Sequence, residues 1–96
     1  MRFEWDPQKE RRNIKKHGVT FREAKELFTS EVDFLEIYDG GHSDLEERIT
    51  AIGPIRRGLI LVVYTERSED TVRIISARWA SKQETALYLQ HAETHP

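Results

Sequence analysis

The chain lacks cysteine, has no long apolar run and carries no strong excess of either charge. None of its 96 residues is cysteine, which excludes a disulfide framework and a thiolate metal site. The longest apolar stretch, residues 59–63, is far too short to cross a bilayer, and the first ten residues show no apolar signal segment. We therefore expect one cytoplasmic domain over residues 1–96, with no room for a cofactor-binding fold.

The formal net charge of −2 hides a segregation of charge along the chain. Residues 1–18 carry six Lys and Arg against three Asp and Glu, and residues 51–83 again carry six against three. Between them, residues 19–50 carry three basic and nine acidic residues. Such a domain can present a cationic face to phosphate, although ordinary solvated charge explains the pattern equally well.

Two helices joined by a tight corner are predicted near the N-terminus. Asp6-Pro7 is typical of a helix start and Gly18 of the residue after a helix end, so the first helix is expected at residues 7–17. The sequence TFRE at 20–23 has the spacing of a capping box, which predicts a second helix over residues 21–29. Together these signals make KHGVTFREA an αα-corner.

Alternating and apolar segments follow the two helices. The segment 58–65 is apolar on both faces and is expected to be the central strand. Turns are expected at residues 39–41 and at Gly53-Pro54, and Phe3 alternates with charge like a short extra strand. We predict an α+β fold with two N-terminal helices packed on an antiparallel four-stranded meander, and a C-terminal helix. The predicted strands are residues 33–38, 47–52, 58–65 and 71–79, and the closing helix is residues 82–90 with Ser81 as its cap.

The first predicted helix is unusual because Ile14 is its only aliphatic residue. A helix stabilised by packing normally shows an apolar stripe. The polar residues that stand where an apolar stripe is expected suit the binding of a phosphate backbone. They also suit a solvated helix that is anchored by Trp5 and Ile14, with Glu10 pairing locally. The polar residues that share or border one face are Lys9, Arg12, Asn13, Lys15, Lys16 and His17.

Histidine and arginine side chains are further candidates for chemistry. His17 changes protonation near neutral pH, so it suits a general acid or base, or simply satisfies the helix end. His42 lies in a glycine-rich turn without partners at metal-ligand spacing. The odd separation of Arg73 and Arg78 predicts opposite faces of one strand. Each arginine binds an anion or forms a salt bridge to an acidic residue between 31 and 47.

Several segments, in order along residues 3–88, resemble the BrnT family: F-x-W-D-x-x-K at 3–9, KHGVTFREA at 16–24, ERITAIG at 47–53, GLILVVYTER at 58–67 and RIISAR at 73–78. The resemblance implies a RelE-like fold and metal-independent ribonuclease activity in a bacterial type II toxin–antitoxin pair. It also implies neutralisation by a BrnA antitoxin. The residues matching the family pattern are Lys9, Asn13, Lys16, His17, His42, Arg48, Arg73, Ser76, Arg78, Glu84 and Tyr88.

Cleavage of RNA without a metal requires a base, an acid, and cations that stabilise the phosphorane. Our hypothesis makes His17 or Glu84 the acid or base. It makes Arg73, Arg78 and Lys16 the stabilising cations. The residues expected to bind RNA are Lys9, Arg12, Asn13, Lys15 and Tyr88.

Two positions depart from the family pattern. Thr85 stands where an arginine is usual, and Trp79 where a basic residue is frequent. Because a lost guanidinium removes a bidentate phosphate donor, two alternatives stay open. One is a catalytically weakened module that binds the antitoxin and co-regulates transcription, and the other is a module that binds nucleic acid without cleaving it. Exposed strand edges also leave room for a homodimer, and the acidic residues 31–47 for a basic antitoxin segment.

Overall fold

The computed structural model describes residues 1–39 and 47–94. The first two helices have the predicted bounds, and the third extends beyond residue 90. His42 and most of the turn predicted at residues 39–41 lie outside the described residues. The elements are β1 (Arg2–Glu4), α1 (Pro7–His17), α2 (Phe21–Thr29), β2 (Leu35–Asp39), β3 (Arg48–Ile55), β4 (Gly58–Ser68), β5 (Thr71–Trp79) and α3 (Lys82–Thr94).

The caps of α1 and α2 produce the corner as predicted. The Asp6 carboxylate accepts the N–H of Gln8 at 2.8 Å and satisfies one of the free donors of the first turn. Gly18 has a φ of 70°, and its N–H donates to the carbonyl of Ile14. Thr20 and Glu23 make both bonds of the capping box at the start of α2. The chain therefore reverses within the two residues between the Gly18 cap and Phe21.

The sheet has five strands in the order β1-β5-β4-β3-β2, with β4 at its centre as predicted. The predicted four-stranded meander therefore has one strand fewer than the observed sheet, because β1 pairs with β5 as a parallel edge strand. Phe3 lies opposite Val72 in this pair and packs against the core. The alternating pattern of the three β1 residues does not show which strand they pair with. A parallel pair needs a long crossover connection, so the partner of β1 lies far away in the sequence.

The turn predicted at Gly53-Pro54 is wrong. Strand β3 continues to Ile55, which lies opposite Gly58, so the hairpin turn is formed by residues 56–57. Gly53 serves close packing instead, because a Cβ there would lie 2.7 Å from the Cδ1 atom of Leu27. Pro54 lies beyond the end of β2, where the missing N–H costs no bond to that strand.

The core lies between the sheet and the pair α1 and α2. Phe21, Ala24 and Leu27 of α2 are buried against residues of β3, β4 and β5. Helix α3 contacts β3 and has no buried residue, and its Leu87 is 47% exposed. Among the described residues, no helix is long and apolar enough to span a membrane.

Candidate functional site

The predicted basic face of α1 borders a groove. Four cationic or titratable side chains line it together with Asn13, and Ile75 and Ser76 of β5 form the opposite wall. The groove has a volume of about 310 Å³ and is open to solvent. Lys15 is exposed on the same helix but is not one of the residues that line the groove. The cationic or titratable residues are Lys9, Arg12, Lys16 and His17.

Asn13 fastens α1 to the sheet. Its amide nitrogen donates to the carbonyls of Val19 at 3.1 Å and Ala77 at 2.8 Å, and its oxygen accepts the N–H of Ala77 at 3.1 Å. Asn13 is the one residue of α1 that is buried, whereas Ile14, the expected anchor, is 40% exposed. The amide is therefore committed to backbone groups at the base of the groove.

Glu10 makes a second polar connection, and Trp5 an apolar one. The Glu10 carboxylate accepts the N–H of Phe21 at 2.8 Å, at the free N-terminal end of α2. The Trp5 ring meets the Phe21 ring edge-on, with 6.1 Å between centroids. Of the two predicted anchors, only Trp5 packs in the core, so α1 is held largely by hydrogen bonds.

A β-bulge in β5 places Arg73 and Arg78 on the same face of the sheet, which corrects the predicted opposite faces. Tyr64 lies opposite Ile74 and Val63 opposite Ser76, so Ile75 has no partner in β4. The extra residue shifts the alternation of side chains by one position, so two residues with an odd separation across it lie on the same face. The β5 residues opposite Leu61, Val63 and Thr65, which alternate on one face of β4, are Arg78, Ser76 and Arg73.

Both arginines form ion pairs, but not with the predicted residues between 31 and 47. Arg73 Nη1 lies 2.6 Å from Glu4 Oε2. Arg78 donates both of its Nη groups to the two oxygens of Glu84, each at 2.8 Å. The predicted partners are wrong because the pairing of β1 with β5 places Glu4 beside Arg73 and the course of α3 brings Glu84 to Arg78, and neither pairing is visible in local spacing.

The pairing with Arg78 determines the charge of Glu84. Hydrogen bonds from Arg78 lower the pKa of Glu84 to about 2, and those from the N–H and hydroxyl of Ser81 add to the effect. The same pair raises the pKa of Arg78. Glu84 is therefore ionised at neutral pH and has no proton to give to a leaving group.

Ser76 lies between the α1 groove and a second pocket on the α3 side of the sheet. That pocket has a volume of about 320 Å³ and is lined by Arg78 and Glu84 together with apolar residues of β2, β3, β4 and α3. The structure thus brings Lys9, Arg12, Lys16 and His17 together on one side of Ser76, and Arg78 and Glu84 on the other.

Among the described residues, three of the family pattern line neither the groove nor the pocket beside it. Tyr88 donates its hydroxyl to the carbonyl of Asp33 at 3.2 Å and so connects α3 to the chain before β2. Arg48 is exposed at the start of β3, opposite Asp39 in the register. Arg73 lines neither the groove nor the pocket beside it.

Arg57 holds the αα-corner beside the groove, and the sequence interpretation missed it. Its guanidinium contacts both oxygens of Glu23 and donates to the carbonyl of Gly18 at 2.8 Å. It also lies over the Trp79 ring, 5.1 Å from its centroid. The hydrogen bonds from Arg57 lower the pKa of Glu23. A turn assigned to its true position, residues 56–57, would have placed this arginine beside the αα-corner.

The groove offers cationic and neutral donors. Its described lining contains lysine, arginine, asparagine, histidine, isoleucine and serine side chains, and no carboxylate. No group of three or more His, Cys, Asp or Glu within residues 1–39 and 47–94 has a geometry that could hold a metal ion. An anionic, phosphate-bearing ligand fits this lining.

Comparison with known proteins agrees with the resemblance in the sequence. A sequence model described as "Ribonuclease toxin, BrnT, of type II toxin-antitoxin system" matches residues 5–84. The chain belongs to the BrnT family. It is similar to the crystal structure of the Brucella abortus ribonuclease toxin BrnT, with a TM-score of 0.62 and 26% identity over 85% of this chain and 99% of that chain. The search of curated proteins found no match.

Family membership fixes the general class of the protein. The α+β fold predicted from the sequence is that of a BrnT structure, with one more strand than expected. As a BrnT-family member, this chain is a ribonuclease toxin of a type II toxin–antitoxin system. Toxins of this class act on RNA and bind an antitoxin. The family model covers the chain up to Glu84, one residue before the Thr85 departure.

Proposed function

We propose that this chain is an endoribonuclease that cleaves RNA without a metal ion, and that the reaction takes place in the α1 groove. The observation that carries the proposal is the convergence of His17 with three cationic side chains in one groove of about 310 Å³. Lys9, Arg12 and Lys16 are exposed, whereas His17 is half-buried at the end of the helix. A titratable group surrounded by cations suits reaction at a phosphodiester.

His17 is the proton-transfer residue in this proposal. A neutral imidazole accepts the proton of the ribose 2′-hydroxyl, whose oxygen attacks the adjacent phosphorus to form the 2′,3′-cyclic phosphate, and the displaced 5′-oxygen takes a proton from water in the open groove. Glu84, the other candidate, is held as a carboxylate with a pKa of about 2, which makes it a poor base as well as an unprotonated acid. Glu84 therefore positions Arg78.

Lys16 stabilises the extra negative charge of the phosphorane, and the other cations of α1 hold the RNA backbone. Lys9 and Arg12 line the groove beside Lys16, while Lys15 extends the positive charge along the exposed helix. Asn13 acts indirectly, since its three hydrogen bonds hold α1 against β5. Tyr88, on α3, is the member of the proposed RNA-binding set that lies outside α1.

Arg78 contributes from the pocket on the other side of Ser76, and Arg73 from farther along the same face of the sheet. Arg78 has 41% of its side chain exposed and Arg73 31%, so both are open to an approaching phosphate. A guanidinium can bind a phosphate while it keeps a carboxylate partner, because it has five donors. We propose both arginines as secondary cations of the site.

Metal independence and the identity of the partner are parts of the same proposal. The groove has cations where a Mg²⁺-dependent nuclease would need carboxylate ligands, which supports charge stabilisation by side chains. Family membership supports neutralisation by a BrnA-type antitoxin, a cytoplasmic location, and a toxin homodimer within the complex.

The test is cleavage of a labelled single-stranded RNA by the purified chain in excess EDTA. Cleavage with 5′ products that end in a 2′,3′-cyclic phosphate supports the proposal, because only attack by the 2′-hydroxyl gives that end. The same RNA with 2′-O-methyl groups is the control and must stay intact. Cleavage that stops in EDTA and returns with Mg²⁺ contradicts metal independence.

A second candidate function is a catalytically weakened antitoxin-binding module. The observation that favours it is that both arginines are already paired with carboxylates, Arg73 with Glu4 and Arg78 with Glu84. Arg73→Ala and Arg78→Ala variants separate the two functions. Loss of one well-placed cation costs on the order of a hundredfold in rate, so normal melting with lost cleavage marks a catalytic arginine. An intact RNA with the wild-type chain favours the weakened module.

A further inference from the structure

A pocket remote from the α1 groove is not used by the proposed reaction. It lies where the end of α2 and the segment before β2 meet the outer ends of β4 and β5, and it has a volume of about 170 Å³. Within the described part of the chain, it shares no lining residue with the groove. Its wall is aromatic: Phe28 meets the Phe34 ring edge-on at 5.5 Å and the Tyr64 ring at 4.9 Å between centroids.

Carboxylates surround the opening of this pocket. Glu36, Glu66, Glu69 and Asp70 line it, and no Lys, Arg or His side chain of the described residues does. Glu66 and Glu69 have no ion-pair partner among the described residues. The ammonium group of Met1 lies 3.1 Å from Asp70 Oδ1, so one carboxylate of the rim already holds a cation.

Tyr64 places one of these carboxylates. Its hydroxyl, on a side chain that is 3% exposed, donates to Glu36 Oε2 at 2.6 Å. Glu36, Glu66 and Glu47 together raise the pKa of the nearby Tyr38, with Glu36 contributing most. The surface around the pocket therefore carries a negative potential, opposite in sign to that of the α1 groove.

The size and chemistry of the pocket select its occupant. Sites for small molecules usually occupy roughly 300–1,000 Å³, whereas this pocket has room for about one long side chain. An arginine or lysine side chain fits both parts of it, since its alkyl stem packs on aromatic rings and its cation meets the carboxylates.

We infer that this pocket docks a basic side chain of a protein partner, at a surface that also carries exposed apolar residues. Val32, before β2, is 42% exposed and Tyr38, on β2, is 59% exposed, and the outer edge of β2 is unpaired among the described residues. A partner segment that alternates basic and apolar residues would complement both features. If the proposed function holds, that partner is the antitoxin, which would then bind without occupying the α1 groove.

The test is an NMR titration of the full chain with an acetylated, amidated hexapeptide of alternating arginine and leucine. The control peptide has citrulline in place of arginine, with the same shape and no charge. We compare the wild type with E66Q/E69Q, which neutralises the rim, and with E31Q/E93Q, which makes the same change in net charge at exposed sites that do not line the pocket. RNA cleavage is measured in parallel for each protein.

The expected result is a set of amide shifts around Phe34 and Tyr64, with binding about tenfold weaker for E66Q/E69Q and little changed for E31Q/E93Q. Equal weakening of both variants, equal binding of the citrulline peptide, or no binding would overturn the inference. Self-association that depends on Glu66 and Glu69 would also overturn it, because the occupant would then be a second copy. Unaltered cleavage by E66Q/E69Q separates this site from the proposed reaction.

Discussion

The two N-terminal helices are joined by a corner of three residues yet are held in place by different physical means. Helix α2 buries Phe21, Ala24 and Leu27 in the core. Helix α1 buries only Asn13, and hydrogen bonds from Asn13 and Glu10 attach it to β5 and to α2. Because α1 gives so little of its surface to the core, its lysines and its two arginines remain exposed and can face a ligand.

This contrast separates stability from function along the chain. Most of the free energy of folding in this region comes from apolar burial by α2, since burial of one large side chain contributes about 1.5–3 kcal/mol. The hydrogen bonds of α1 contribute less but fix its position over the bulge at Ile75. Substitutions in α2 should therefore act on stability, and substitutions on the exposed face of α1 on RNA binding and cleavage.

The largest effect on stability is expected from Leu27→Ala. Leu27 is 1% exposed, and the loss of a fully buried leucine costs about 2–5 kcal/mol in the free energy of unfolding. Ile14→Ala on α1 is the matched change at a residue that is 40% exposed, and we expect a loss below about 1 kcal/mol. Urea denaturation measures both. Equal losses would remove the contrast between the helices.

Asn13 should give the next largest effect, because it is the polar anchor of α1. Asn13→Ala leaves the N–H and C=O of Ala77 and the C=O of Val19 without this partner, which should cost about 1–3 kcal/mol. Asn13→Asp keeps the shape but turns a donor into an acceptor that faces two carbonyls. It should be at least as destabilising in thermal melting at pH 7. A neutral Asn13→Asp would contradict the assigned orientation of the amide.

A smaller effect, on RNA binding alone, is expected from Lys16→Gln. The control is Lys15→Gln, the same substitution at a neighbouring lysine that does not line the groove. Affinity for a 2′-O-methyl RNA should fall about fivefold for Lys16→Gln, with a decrease of about 0.7 in the slope of log K against log salt. Lys15→Gln should change both quantities less. Identical effects would mean that the RNA follows the outside of the helix and not the groove.

The smallest effect is expected from the pH dependence of the Arg78–Glu84 pair. The pKa of Glu84 is about 2 in the folded chain against an ordinary 4.5, so the pair stabilises the fold above pH 4.5. That contribution is lost as the pH falls from 4.5 towards 2. The partly exposed pair should contribute below about 1 kcal/mol. Glu84→Gln should flatten this part of the stability profile, and an unchanged profile would contradict the pairing.

Features set by neighbouring residues were predictable from the sequence, and features set by distant contacts were not. The Asp6 cap, Gly18 and the Thr20–Glu23 capping box act over a few residues, so both helices were found with their bounds. The placement of Lys9, Lys16 and His17 on one face follows from helical spacing and is confirmed by the groove.

The bulge at Ile75 depends on the pairing of β4 with β5 and gives no signal in either strand alone, so the arginines were placed on opposite faces. Gly53 was interpreted as a turn because its reason, the approach of Leu27, comes from another element. The burial of Asn13 depends on its hydrogen bonds to Val19 and Ala77. Because both residues lie outside α1, the sequence of the helix does not predict this burial.

The most direct test of the central claim is the rate of RNA cleavage by His17→Ala in excess EDTA, beside the wild type and His91→Ala. His91 is the matched histidine, on α3 and paired with Asp33 at 3.1 Å. We predict a loss on the order of a hundredfold for His17→Ala with unchanged melting, and little change for His91→Ala. Wild-type cleavage by a folded His17→Ala variant would contradict a reaction centred on the α1 groove.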